Sequence, residues 1–130
     1  MADEKKRLAR NGKMRIINKT KDSLVEESPI IANSFFTRLR GLMFRAKFPR
    51  TMLFVFPDVS IKRNSIHSFF VFFEFDAVYL DAEKKVVGIF ERVRPFTFYI
   101  EPKKPSAYLL ELEAGAVKKL KIGIGDKLDF

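Results

Sequence analysis

Ile66-His67-Ser68-Phe69-Phe70-Val71-Phe72-Phe73-Glu74-Phe75-Asp76-Ala77-Val78-Tyr79-Leu80-Asp81 sets the only histidine of the chain and an isolated aspartate among five phenylalanines. A stretch this rich in aromatic and β-branched residues reads as strand. The pattern predicts a strand over 65–73, a break at Glu74 and a second strand over 76–80. Phe69, Phe70, Phe72, Phe73 and Phe75 would occupy both faces of a strand. Either it is a central strand covered on both sides, or one face meets a second subunit or a hydrophobic ligand. A polar group inside such a run needs a partner or a role, which draws attention to His67 and Asp76.

Outward from this stretch, the chain beyond Pro49 reads almost entirely as β. Residues 52–56 form an apolar run closed by Pro57, and 59–64 form a charged loop. The turn at 81–85 between two β-rich runs is a hairpin signal leading into a strand over 86–93. Residues 94–105, with three prolines and three aromatics, suit a loop draped over the body. A strand over 107–112, a short helix over 115–120 and a last strand over 127–130 follow, the latter entered through Gly125-Asp126. Before Pro49 the reading is a strand over 14–18, a turn over 19–23 and a strand over 24–32, placed at an edge or bulged because Pro29 cannot donate to a ladder. A helix over 34–44 has Asn33 or Ser34 as N-cap and Phe35, Leu39, Leu42 and Met43 as its buried stripe. Gly41 inside that helix implies close backbone approach or the beginning of its end. The fold class is therefore α+β and mainly β: a compact single-domain antiparallel or barrel-like sheet with one or two short helices over 14–130, preceded by a charged arm over 1–13.

Composition narrows the chemistry. At 130 residues the chain is long enough to bury one core without staples. It has no cysteine, so disulfides, thiolate catalysis and sulfur-held metals are excluded, and no metal or other cofactor is expected. The absence of glutamine and tryptophan beside abundant Lys and Glu is a bias found in proteins from hot environments. No uncharged run exceeds ten residues, whereas a membrane helix needs roughly 20 apolar ones. A soluble cytoplasmic protein with no membrane partner is expected.

The net charge of +9 is uneven, with +6 over residues 1–21, −3 over 22–37, +6 over 38–63 and zero over 64–130. The functional reading is an anionic ligand or acidic protein partner near Arg38, Arg40 and Arg45, which could hold phosphate or carboxylate by bidentate contacts. The same arginines could instead anchor the helix to Glu26, Asp76 or Glu111, and the basic arm could simply aid solubility. With no motif for reading bases, nucleic-acid binding is expected to be weak, non-specific and driven by the arm. The sequence leaves open a monomer or a homodimer. A rival reading from a different class is a hydrolase-type enzyme in which Asp76 orients His67 as general base. The plainer alternative is a structural histidine and an aspartate accepting backbone amides. Gly123 to Asp126 could form an anion nest, but a turn entering a strand explains it more simply.

The pieces Arg38-Leu39-Arg40-Gly41-Leu42-Met43-Phe44-Arg45, Leu53-Phe54-Val55-Phe56-Pro57, Asp76-Ala77-Val78-Tyr79-Leu80-Asp81 with Val86-Val87, Leu110-Glu111-Leu112-Glu113-Ala114-Gly115 and Ile122-Gly123-Ile124-Gly125-Asp126-Lys127-Leu128 occur in an order that resembles the domain of unknown function family 192. The resemblance covers about residues 14–130. It implies a compact, mainly β domain with one or two short helices and no established activity, so it carries over no catalytic residue. Two departures stand out. His67-Ser68-Phe69-Phe70-Val71 replaces a Trp-Met-Lys-Asn-Thr type stretch, and Glu74 stands where a proline is common.

Overall fold

The computed structural model describes residues 14–60, 66, 68, 70–97 and 100–130. Among the described residues, eight strands and two short helices follow in the order β1 (Ile16–Asn18), β2 (Ser23–Glu26), β3 (Ile30–Ala32), α1 (Phe35–Arg40), β4 (Met52–Ser60), β5 (Phe75–Leu80), β6 (Val86–Val93), β7 (Ser106–Glu113), α2 (Ala116–Lys119) and β8 (Leu128–Asp129). They form two open sheets: a small one ordered β2-β1-β8 and a larger one ordered β3-β4-β7-β5-β6. All pairings are antiparallel except β3 with β4. The architecture is thus mainly β as expected, with two sheets in place of one sheet or barrel.

Both faces of the larger sheet are buried, and the alternation of its central strands explains how. Leu53, Val55, Val78, Leu80, Leu110 and Leu112 point one way and pack with Ile16, Val117, Ile122, Leu128 and Phe130 of the small sheet and α2 region. Met52, Phe54, Phe75, Ala77, Tyr79 and Leu109 point the other way, under Leu42, Val71 and Ile100 with the partly buried Met43, Phe48 and Phe73. Every residue of β5 is buried, as is all of β7 except Glu113.

The two-sided central strand anticipated for 65–73 is therefore β5 with β7. In the 65–73 run, Ile66 makes an isolated bridge to Ile100, and 70–74 is not strand. Nor does this run form a hairpin with β5, whose neighbours are β6 and β7. Pro29 also does more than bulge one strand: it separates β2 and β3, which belong to different sheets. Pro57 lies inside β4 where the ladder slips, between the Val55–Tyr108 and Ser60–Ser106 pairs, so its missing N–H disturbs no regular pairing.

Helix α1 is shorter than the 34–44 span. Ser34 and Thr37 form a capping box: the Ser34 hydroxyl accepts from the Thr37 amide at 3.2 Å and the Thr37 hydroxyl from the Ser34 amide at 3.1 Å. The helix stops because Gly41 takes φ 44, and a Cβ there would sit 3.1 Å from the Phe54 ring. Gly41 is thus both an end signal and a point of close approach. Leu42 is buried beyond the end; the Phe35 and Leu39 side chains, predicted as part of the stripe, lie outside what is described. The hairpin over 81–85 forms as expected, with the Asp81 carboxylate accepting from the amides of Glu83 and Lys85 at 3.0 and 2.9 Å.

Candidate functional site

Three turns meet beside the C-terminal end of α1. The amide of Phe44 donates to the carbonyl of Phe70 at 2.9 Å, and those of Val71 and Phe96 donate to the carbonyl of Ser68 at 3.2 and 2.8 Å. Ser68 is fully buried, and its hydroxyl donates to the Arg94 carbonyl at 2.5 Å while accepting from the Thr97 amide at 2.6 Å. This hub fixes the loops over 68–74 and 94–97 against the segment after α1.

From these turns Phe44, Phe70, Phe72 and Phe96 project with 63, 49, 53 and 54% of their surface in water. The Phe44 and Phe70 rings stack with centroids 5.0 Å apart and planes 20° from parallel. Phe44, Phe70 and Phe96 have φ of 62, 59 and 61°. For bulky L residues this left-handed backbone is strained by about 1–2 kcal/mol each. Such a conformation is ordinary for polar turn residues; here three phenylalanines hold it with about half of each side chain still in water.

The predicted arginines lie on α1 and the segment that leads through Phe44, in different states. Arg40 is exposed. Arg38 is half-buried and donates to the Val55 carbonyl at 3.4 Å, and Arg45 folds back to donate from Nε to the Gly41 carbonyl at 3.2 Å. None of the three anchors to Glu26, Asp76 or Glu111. Lys47 and Arg94 are exposed nearby, and no Asp or Glu occurs between residues 28 and 57. Glu74, the nearby acid, forms an ion pair with Arg92 at 3.4 Å. The sequence signal for this surface was the phenylalanine run itself, read as strand because its apolarity has no period to separate a strand from a loop.

His67 lies outside the described residues. Asp76 is fully buried, with Oδ1 accepting from the Arg92 amide at 2.8 Å and Oδ2 from those of Gly115 and Val117 at 3.2 and 2.9 Å. It opposes the register slip in β6, where Val93 pairs Phe75 and Phe90 pairs Ala77. Its oxygens thereby tie a bulge and the start of α2 to β5. Glu111, which sequence reasoning weighed as an ion-pair partner, is buried among apolar groups with Oε2 unpartnered. Burial raises its pKa to about 8.

The turn at Gly123 to Asp126 is a strand entry. Asp126 Oδ2 accepts from the Gly123 amide at 2.9 Å, from Asn18 at 2.8 Å and from Lys21 at 3.0 Å. Burial pushes the Asp126 pKa up, but these hydrogen bonds and the Lys21 charge hold it below the ordinary value. Elsewhere a groove of about 610 Å³ runs between β2, residues 48–51 and α2, with Glu26, Glu113, Arg50 and Lys119 on its walls.

The profile of the DUF192 family, described as "Uncharacterized ACR", matches residues 16–130. The chain belongs to the DUF192 family. It is 36% identical over 115 residues to a UPF0127 protein of Thermococcus sibiricus, covering 88% of this chain and 73% of that one. It is 35% identical over 115 residues to a UPF0127 protein of Pyrococcus abyssi, covering 88 and 96%. These thermophilic archaea match the setting suggested by the Lys and Glu bias. Among solved structures it is similar to a Sinorhizobium meliloti protein described as a "putative transcription regulator", with TM-score 0.77, 26% identity and coverage of 88 and 89%. A Novosphingobium aromaticivorans protein of unknown function gives TM-score 0.80 at 18% identity, with coverage of 91 and 85%. Family membership assigns no activity, so the surface has to be read from its own chemistry. No helix among the described residues is long and apolar enough to cross a membrane.

Proposed function

We propose that the chain is a binding module that takes an anionic partner on the face formed by Phe44, Phe70, Phe72 and Phe96 with Arg40, Arg45 and Arg94. The observation that carries this reading is the trio of exposed phenylalanines at φ 59–62°. The Phe44–Phe70 stacking offsets only part of this strain while the rings stay about half in water, and such residues cluster at ligand clamps. Arg38 supports the face from below by holding the helix to β4. A cytoplasmic setting belongs to the same reading. A hydrolytic role for Asp76 would first require its oxygens to be released from three amides.

Glycine tests the reading directly, because it removes the ring and suits the left-handed backbone. The triple variant Phe44→Gly, Phe70→Gly and Phe96→Gly is expected to unfold in urea with stability unchanged or raised by about 1 kcal/mol. It should also lose the fluorescence enhancement that the intact protein gives anilinonaphthalene sulfonate, an aromatic anion. A loss of more than about 2 kcal/mol would make the rings structural, and unchanged probe fluorescence would place anion binding elsewhere.

A further inference from the structure

We infer that the partner on this face is a single-stranded nucleic acid, with unpaired bases stacking on Phe44, Phe70 and Phe96 and phosphates meeting Arg40 and Arg94. The inference rests on the binding-face reading above and deepens it. Three features favour it over an acidic protein. The Phe44 and Phe70 rings stack 20° from parallel with 63 and 49% of these residues' surface still in water, a paired aromatic platform suited to continuing a stack onto a base. The amides of Phe44, Val71 and Phe96 are consumed by the carbonyls of Phe70 and Ser68, so these turns offer ring faces and guanidinium groups in place of a backbone edge for a peptide strand. Arg40 and Arg94 are exposed and make no ion pair among the described residues. Stacking with planar cations is the recognition mode of single strands, whose bases are free of a duplex stack. Every base has a π-face, so the binding is tolerant of sequence and dependent on salt.

Fluorescence anisotropy of the full chain with short labelled thymidine and uridine oligonucleotides tests this, with a mixed-sequence duplex and polyglutamate as the other probes. The single strands are expected to bind more tightly than the duplex. Phe44→Gly and Phe96→Gly should each weaken them about tenfold, and Arg94→Gln should lower the salt slope by about one phosphate equivalent. Equal affinity for the duplex, or Phe→Gly variants that bind as well as the parent, would overturn the inference and leave only diffuse attraction to the basic segments. Polyglutamate binding that depends on the rings, without oligonucleotide binding, would make the partner an acidic protein. Ring-dependent anilinonaphthalene sulfonate binding with no oligonucleotide binding would sink the nucleic-acid inference and leave the binding face standing. Loss of both would sink the two together.

Discussion

Asp76 and Glu111 are buried carboxyl groups on neighbouring strands, in adjacent pairs of the ladder: Asp76 opposes Leu112, and Glu111 opposes Ala77. Adjacent pairs face opposite sides of a sheet. On the side toward the small sheet, three amide N–H groups converge on Asp76. On the side toward α1, Glu111 sits beside Met52 and Ala77 with an oxygen unpartnered and its pKa raised to about 8. The chain accommodates a buried carboxyl by aiming donors at it in one case and by keeping it protonated in the other. The first solution organises the fold; the second is tolerated by it.

Removing the organiser should have the largest effect. Asp76→Ala leaves three amide groups without their acceptor and is expected to cost about 3–5 kcal/mol in urea titration. Asp76→Asn, which keeps one acceptor oxygen, should cost less. A loss under 1 kcal/mol for the alanine variant would mean that water replaces the carboxylate and that α2 does not depend on it.

Glu111→Met works in the opposite direction. The unfolded chain releases this proton near pH 4.5, while the folded chain holds it to about pH 8. Between those values the unfolded state binds fewer protons, so stability falls as pH rises, by up to about 1.4 kcal/mol per pH unit. The contribution is fully favourable below pH 4.5 and levels off above pH 8. At pH 8 the methionine variant should be more stable by on the order of 3 kcal/mol, with little difference at pH 4.5. An equal difference at both pH values would show that Glu111 ionises normally.

The smallest effect is expected at Arg92. Its amide serves Asp76, but its side chain makes an exposed 3.4 Å pair with Glu74. Arg92→Ala should change stability by less than about 0.5 kcal/mol. A larger loss would show that the side chain, as well as the backbone, holds the bulge.

The sequence made some of this legible. Asp81 with the polar residues after it marks a hairpin through local turn chemistry, and the Ser34 cap with the apolar spacing after it marks α1. What escaped was non-local. The donors to Asp76 lie 16, 39 and 41 residues away, so spacing along the chain gives no hint of them. Pro29 marked an irregularity correctly, yet assignment of β2 and β3 to separate sheets depends on partners far along the chain. The phenylalanine run reads as strand because apolarity reports a demand for contact without saying whether the contact is internal. Phe73 and Phe75 contribute to the core, while Phe70 and Phe72 remain in water. At the candidate site Arg40 was visible as an exposed cation on the helix, but Ser68, the hub that gathers the phenylalanines, looked like one serine among many.

The pairing of β1 with β8, Ile17 opposite Asp129 and Asn18 opposite Leu128, makes the small sheet depend on residues more than 100 positions apart. Until residues 126–129 have left the ribosome, β1 has only β2 beside it, and a two-stranded ribbon is marginal in water. The small sheet is complete only when β8 joins it, which also brings Asp126 to Asn18 and Lys21. The larger sheet, whose β5 and β6 meet through a five-residue turn, can begin forming first.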